Sequence, residues 1–315
     1  MQAELTRRRV LSILAAAATT SFVPPARAST REWRGAALGA DVSILFADVD
    51  GAVAEQAIAR ILDEVERLEA IFSLQRGDSE LSRLNATGRL EAPSPDLVHV
   101  LSIARQAHGA TFGRFDPTVQ PLWRFHFDWY AADPSRPRPH DADLEAVRTR
   151  VGLSRVGVGP DLIELPPGGA VTLNGVAQGH ITDRAVALLR ADGFRRVLVD
   201  LGETRALEGR PDGDPWRIAL PDARRISLTD GAIATSAGAA TRFAANGDHH
   251  IFDPVTGRPA RHWDWLAVAH PSAIMADALS TGLYCLEPRL AAQAIRAVPD
   301  ARMWARGNDG AQIEA

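Results

Sequence analysis

Val171–Leu189 reads VTLNGVAQGHITDRAVALL, and the fold turns on how this stretch is read. Val171 and Leu173 form a short apolar run that predicts a strand. Glycines follow at Gly175 and Gly179, and Ile181, Ala185, Leu188 and Leu189 then recur at helical spacing. Strand, glycine loop and helix N-terminus in that order gather free backbone N–H groups at the positive end of a helix dipole, a common anion site. The stretch is not the dinucleotide G-x-G-x-x-G fingerprint, and it lacks the lysine of a phosphate-cradling loop. Taken by itself it also reads as a glycine-lubricated turn between packed elements. Arg196–Asp200 (RVLVD) predicts a buried strand after the helix, so strand, helix and strand suggest a crossover unit.

Towards the N-terminus, Asp41–Ala47 (DVSILFA) alternates like a strand. Ala54, Ile58, Ile61, Val65, Leu68 and Phe72 mark one face of a long helix. Gly77 breaks it, and a second helix starts at Asp78 or Ser79. A third runs from about Pro95 to His108, with Ser94 as N-cap and proline in the first turn. In Gly113–Phe125 (GRFDPTVQPLWRF), Pro117 forces Asp116 into an extended loop conformation. Trp123, Phe125, Phe127, Trp129 and Tyr130 follow closely. They read either as a loop pinned by a hydrophobic satellite cluster, or as a ring-binding wall with Asp116 on a heterocycle edge. Ala131–Asp141 is a proline-rich surface loop. A short helix to Arg150 and short strands near Arg155–Val158 and Leu162–Leu165 come next.

Towards the C-terminus, Trp216–Leu220, Arg225–Leu228 and Ala232–Ser236 read as antiparallel strands. His249–Pro259 (HHIFDPVTGRP) is a turn closed by Gly257, and Leu266–His270 is a strand. Ser272 then caps a helix through Leu286, in which Asp277 and Thr281 stand four apart and share one face. An acid and a hydroxyl at that spacing either bond on the helix surface or share a hard cation with carbonyls, waters or phosphate oxygens. Strands and helices in this mixture give an α+β (mixed α/β) fold.

The composition, 46% apolar and 23% charged over 315 residues, is that of an ordinary globular protein. Every basic side chain is arginine, which excludes lysine-based chemistry, and no basic run points to nucleic acid. Residues 1–28 carry a twin-arginine pattern (Thr6-Arg7-Arg8-Arg9-Val10-Leu11), an apolar run to Val23 and a small-x-small site at Ala26-Arg27-Ala28. That reads as a cleavable export signal too short to span a bilayer, so the expectation is a periplasmic protein, residues 29–315, without stable membrane insertion. Without the signal, 31 arginines face 38 acidic residues, a net of −7. Cys285 is the lone cysteine and sits in an apolar pattern, a small buried hydrophobe.

Five ordered blocks, GAALGADVSI, FSLQRGDSELSRLN, GRFDPTVQPLW, LNGVAQGHITDRA and HHIFDPVTGRP…MADALST, together resemble the ApbE-type FAD:protein FMN transferases. The resemblance runs from about Trp33 to the C-terminal region. It implies a compact sheet-and-helix domain of two lobes with a nucleotide cleft between them. It also implies an enzyme that splits FAD at its pyrophosphate with Mg2+ or Mn2+. The FMN half goes to a Thr or Ser hydroxyl of an exported or membrane-bound flavoprotein, at a D-G-x-[ST]-G-A-[ST]-type site, and AMP is released.

Residue by residue, the resemblance makes Asp277 and Thr281 metal ligands, with the main-chain oxygen of Gly175 as a third. Arg114, Phe115 and Asp116 lie against FAD, Leu38 stands at a flavin-contacting position, and Gln178 is placed beside the flavin nucleotide. His250 is the base that deprotonates the acceptor hydroxyl, with its neighbour His249 as the alternative. Asp183 and Asp253 are architectural. Gln75 replaces a flavin-stacking aromatic, Thr172 an aspartate that binds the nucleotide, His180 a tyrosine, and Ala239–Ala240 a further aromatic position. Two other functions stay open: an FAD pyrophosphatase giving FMN and AMP, and an FAD-binding scaffold whose active site has decayed.

Overall fold

The structure, a computed structural model, describes residues 30–37, 40–47 and 49–315. The export signal expected over residues 1–28, and Leu38, lie outside the described residues. Strands β1 (Thr30–Ala37) and β2 (Ala40–Ala47) form a hairpin, followed by helices α1 (Gly51–Phe72) and α2 (Glu80–Thr87). Strand β3 (Arg89–Glu91), helices α3 (Pro95–Ala110), α4 (Gln120–Ala131) and α5 (Asp141–Arg148), and strands β4 (Gly157–Val158) and β5 (Leu162–Glu164) follow. Helix α6 (Ala177–Ala191) leads into β6 (Val197–Asp200), β7 (Thr204–Leu207), the hairpin β8 (Trp216–Ala219) and β9 (Arg225–Leu228), and β10 (Ala232–Ser236). The chain ends with β11 (Phe252–Asp253), β12 (Arg258–Pro259), β13 (Trp263–His270), α7 (Ala273–Tyr284), α8 (Pro288–Arg296), β14 (Arg302–Gly307) and β15 (Gln312–Glu314).

The main sheet runs β1-β2-β6-β7-β10-β13-β14-β15, and every pairing in it is antiparallel. Both faces are covered, which is why its central strands read as apolar runs. Val197 and Val199 turn to the helices α1, α3 and α6, while Leu198 turns to the β8–β9 hairpin with Trp216 and Ile218. The same period of two puts Leu266 and Val268 against α7 and α8, and Trp265 and Ala267 on the hairpin face.

The capping readings hold for α2 and α3. Ser79 caps α2 through the Ser82 N–H, and Ser94 caps α3 through the Leu97 N–H. Two expectations fail. The aromatic run after Asp116 is helical: Pro121 sits in the first turn of α4, which buries Leu122, His126 and Tyr130 at i, i+4 and i+8. Trp123 and Phe127 lie one turn apart and stack at 5.1 Å, with Phe243 edge-on to Trp123.

The parallel crossover around α6 does not form either, because no strand occupies residues 171–173. The side-chain amide of Asn85 takes the place of a strand neighbour there. It donates to the Val171 carbonyl (2.8 Å) and accepts from the Val171 N–H (2.7 Å). The Thr172 N–H donates to the Pro117 carbonyl at 2.8 Å, tying the stretch to the Asp116 loop. With its backbone groups satisfied in this way, the run stays out of the sheet.

Candidate active site

Helices α6 and α7 pack antiparallel, in register by fours. Asp183 meets Ala273 and Ile274, Gly179 meets Ala273 and Asp277, and Gly175 meets Thr281. The backbones nearly touch at Gly179, where a Cβ would lie 2.4 Å from the Ala273 carbonyl oxygen. Only glycine allows that approach.

Neither helix is capped by its own N-cap side chain, so the cap expected from Ser272 does not form, its hydroxyl donating to Asp183 instead. Each is capped by an aspartate of the other. Asp183 of α6 accepts from the N–H groups of Ala273 (2.9 Å) and Ile274 (3.1 Å) and from the Ser272 hydroxyl (2.9 Å). Asp277 of α7 accepts from the Gly179 N–H through Oδ2 at 3.1 Å. The expected anion site at the α6 N-terminus therefore already faces a carboxylate. A phosphate brought there meets like charge unless a cation lies between.

Asp277 is 4% exposed, and burial pushes its carboxyl up to about 7, against the opposing pull of the Gly179 N–H. Two further acids lie in the same electrostatic neighbourhood. Burial, then the charges of Asp277 and Asp200, push Glu203 well above its ordinary range; burial likewise raises Asp200. The sequence reading missed both acids. The signal was there in RVLVD-LGE, where a buried strand ends in an acid and the turn after it brings a second. The same β6–β7 turn touches Gln178: Gly202 has φ 98°, and a Cβ on it would lie 2.6 Å from Gln178 Nε2.

Thr281 lies one turn beyond Asp277, its hydroxyl 3.4 Å from the Ser236 hydroxyl, and Ser236 also bonds Ser280 at 2.9 Å. A Cβ on Gly175 would stand 2.9 Å from Thr281 Oγ1, so the Gly175 backbone lies directly against this hydroxyl. Asp277, Thr281 and the Gly175 carbonyl offer hard oxygen donors of the kind Mg2+ and Mn2+ take. Among the described residues no group of three or more His, Cys, Asp or Glu forms a self-sufficient metal cage. A cation here would complete its shell from water or substrate oxygens, which fits Mg2+ with a bound phosphate.

The C-terminal half of α7 carries the histidine hairpin. Cys285 Sγ donates to the Phe252 carbonyl at 3.4 Å, and the His249 and Tyr284 rings pack edge-on at 5.9 Å. Both nitrogens of His249 are engaged: Nε2 donates to the Ala260 carbonyl (2.8 Å) and Nδ1 accepts from the Ile251 N–H (3.2 Å). Burial drives its pKa down to about 4. His250 differs. Its Nδ1 faces the Thr241 carbonyl at 3.2 Å, which puts the proton there and leaves the Nε2 lone pair available. Burial lowers its pKa too, so the ring is neutral at neutral pH.

The remaining predicted residues are spread around this centre. Arg114 pairs with Asp253 at 3.3 Å, joining the third and fifth sequence blocks. Phe115 is 3% exposed and packs on Gly282 of α7. Asp116, expected on a heterocycle edge, has its carboxylate engaged in the fold. Oδ1 accepts from the Thr118 N–H (2.8 Å) and hydroxyl (2.5 Å), and Oδ2 from the Leu153 N–H (3.1 Å). Gln75 is exposed in the α1–α2 turn, its amide oxygen 3.2 Å from the Ser73 hydroxyl. Thr172 is half-buried, and its hydroxyl accepts from the Asn174 N–H. His180 bonds Asp96 at 2.9 Å and serves the α3–α6 contact. A surface cavity of about 470 Å³, lined by Arg289, Gln293, Arg296 and Ala297, includes none of these residues.

Comparison with known proteins identifies the family of the chain. The sequence pattern of the ApbE family matches residues 38–303. The chain is 28% identical to the FAD:protein FMN transferase of Klebsiella pneumoniae over 301 residues, covering 89% of this chain and 84% of that one. It is 30% identical to the protein of the same name from Treponema pallidum, over 73% and 71% of the two chains. The flavin transferase ApbE from Vibrio cholerae superposes with a TM-score of 0.76 at 27% identity, over 92% of this chain and 97% of that one. The chain belongs to the ApbE family, whose curated relatives are transferases.

Proposed function

We propose that this protein transfers the FMN moiety of FAD to a Thr or Ser hydroxyl of an exported or membrane-bound flavoprotein, with Mg2+ or Mn2+ bound at Asp277, Thr281 and the Gly175 carbonyl. The observation that carries the reading is Asp277: a buried carboxylate with one backbone donor, one helical turn from the Thr281 hydroxyl that lies against the Gly175 backbone, in a chain whose relatives are named FAD:protein FMN transferase. When bound, the cation neutralises Asp277 and the pyrophosphate charge together. The residues do the rest by alignment. The acceptor hydroxyl oxygen attacks the FMN phosphorus, the P–O bond to the AMP half breaks, and AMP leaves with the bonding pair. His250 Nε2 takes the hydroxyl proton, its other nitrogen held by Thr241.

The family resemblance supports nucleotide-side roles for Gln178 and Thr172 and flavin-side roles for Gln75 and Leu38. Phe115 and Asp116 act from behind by fixing the Arg114 loop. As a neutral amide, Gln178 bonds an oxygen without supplying charge. The twin-arginine pattern of residues 1–28 supports a periplasmic setting for the reaction.

The test is incubation with FAD, Mg2+ and a protein carrying a D-G-x-[ST]-G-A-[ST] site, read by mass spectrometry. The expected result is a gain of one FMN on the acceptor. No gain beside an active control enzyme overturns the proposal. AMP release at the same rate with and without acceptor assigns an FAD pyrophosphatase, and FAD binding without turnover assigns a scaffold.

A further inference from the structure

The α6–α7 contact is a ladder with three rungs, and only two are polar. Positions 183, 179 and 175 step back along α6 and its lead-in by fours, opposite positions 273, 277 and 281 of α7. The first rung is the Asp183 carboxylate on the N–H groups of Ala273 and Ile274. The second is the Asp277 carboxylate on the Gly179 N–H. The third is the contact of Gly175 with Thr281. Asp183 is also tied to the sheet, because Arg205 of β7 donates to its Oδ1. Its side chain is 21% exposed and that of Arg205 13%.

We propose that Asp183, held by Arg205, is a positioning residue for the cation site: it fixes where α7 sits along α6, and thereby sets Asp277 and Thr281 against Gly175. The inference rests on the cation reading given above. Its physical basis is the division of labour between the rungs. A cation on the Asp277 carboxylate would draw charge away from the oxygen that accepts from the Gly179 N–H, so the second rung weakens when the site is in use. The Asp183 rung then remains as the polar restraint on the α7 N-terminus. Helix packing admits alternative placements along the axis unless a directional contact forbids them. Groups that orient a ligand rather than bind the metal commonly change metal affinity by about 10–100-fold when altered.

The test uses the full chain and Mn2+ as probe, with free Mn2+ followed by its electron spin resonance. Asp183→Asn keeps the side-chain volume but loses the ion pair and turns an N–H donor towards the helix end. It is expected to weaken Mn2+ binding at least tenfold. Arg205→Gln, which leaves the carboxylate in place, is expected to weaken it about two- to fivefold, and it serves if Asp183→Asn does not fold. The control is Asp248→Asn. Asp248 is 1% exposed and accepts from Tyr130 and Arg138, outside the α6–α7 pair. That variant should lower the melting temperature and leave Mn2+ affinity unchanged. Wild-type affinity in Asp183→Asn, or an equal loss in Asp248→Asn, overturns the inference alone. Failure of the wild-type chain to bind Mn2+ overturns the cation reading and the inference with it.

Discussion

Asp183 and Asp277 occupy corresponding places on two antiparallel helices, and each carboxylate caps the other's helix. Their surroundings differ. Asp183 has two backbone N–H donors, a serine hydroxyl and an arginine. Asp277 is more deeply buried, accepts from one backbone N–H, and has an acidic neighbour in Glu203, which Asp200 also faces. A buried carboxylate with full complementation stabilises a fold, whereas one without it costs stability unless it stays protonated or receives a cation. Under the proposed function, the contrast separates a structural aspartate from one that takes a cation, although the two look alike in sequence.

The largest expected effect lies at the under-complemented end. Asp277→Asn should reduce FMN transfer by about 10³-fold or more, roughly 4 kcal/mol in the transition state. Its cation-free melting temperature at pH 8 should be no lower than wild type, because an uncompensated charge has been removed. A marked loss of cation-free stability would break the contrast. Asp183→Ala should behave in the opposite way, destabilising the cation-free protein by about 2–3 kcal/mol in urea unfolding, through a lost helix cap and a stranded Arg205. An unchanged midpoint would show that the first rung is idle.

The pH dependence follows from the raised Asp277 pKa. Its folded value of about 7 lies above the ordinary carboxylate value near 4, so folding favours the protonated form. This contribution to stability is present at low pH and is lost as pH rises from about 4 through about 7. Cation binding needs the ionised form, so affinity should fall about tenfold for each pH unit below about 7, measurable by calorimetry. Flat affinity between pH 5 and 8 would put the cation elsewhere. The smallest effect is expected from Gly175→Ala. The new methyl group meets Thr281 at Oγ1 (2.9 Å), Cγ2 (3.1 Å) and Cβ (3.3 Å), so the residue must shift and stability should fall by about 1 kcal/mol. The displaced hydroxyl should weaken Mn2+ binding severalfold; an unaltered affinity would remove Thr281 from the ligand set.

Much of this site could be read from the chain because its parts are local. Asp277 and Thr281 share a helical face by spacing alone, and the capping serines of α2 and α3 stand where their sequences place them. The strand expected at Val171–Leu173 failed for a non-local reason, since Asn85, 86 residues away in sequence, satisfies its backbone. The two adjacent histidines could not be told apart either. Their difference lies in the carbonyls of Ala260 and Thr241, which only the folded hairpin brings to them.

By itself, the sequence determined the helices other than α4 and α8, the glycines at the α6 entry and the acid–hydroxyl pair of α7. Those depend on periodicity and on contacts within one or two turns. Only the tertiary structure decided that the sheet is antiparallel throughout, that two helices cap one another, and that Asp200 and Glu203 share the surroundings of Asp277. Burial and capping between distant segments set these features, and neither leaves a mark at any fixed spacing in the chain.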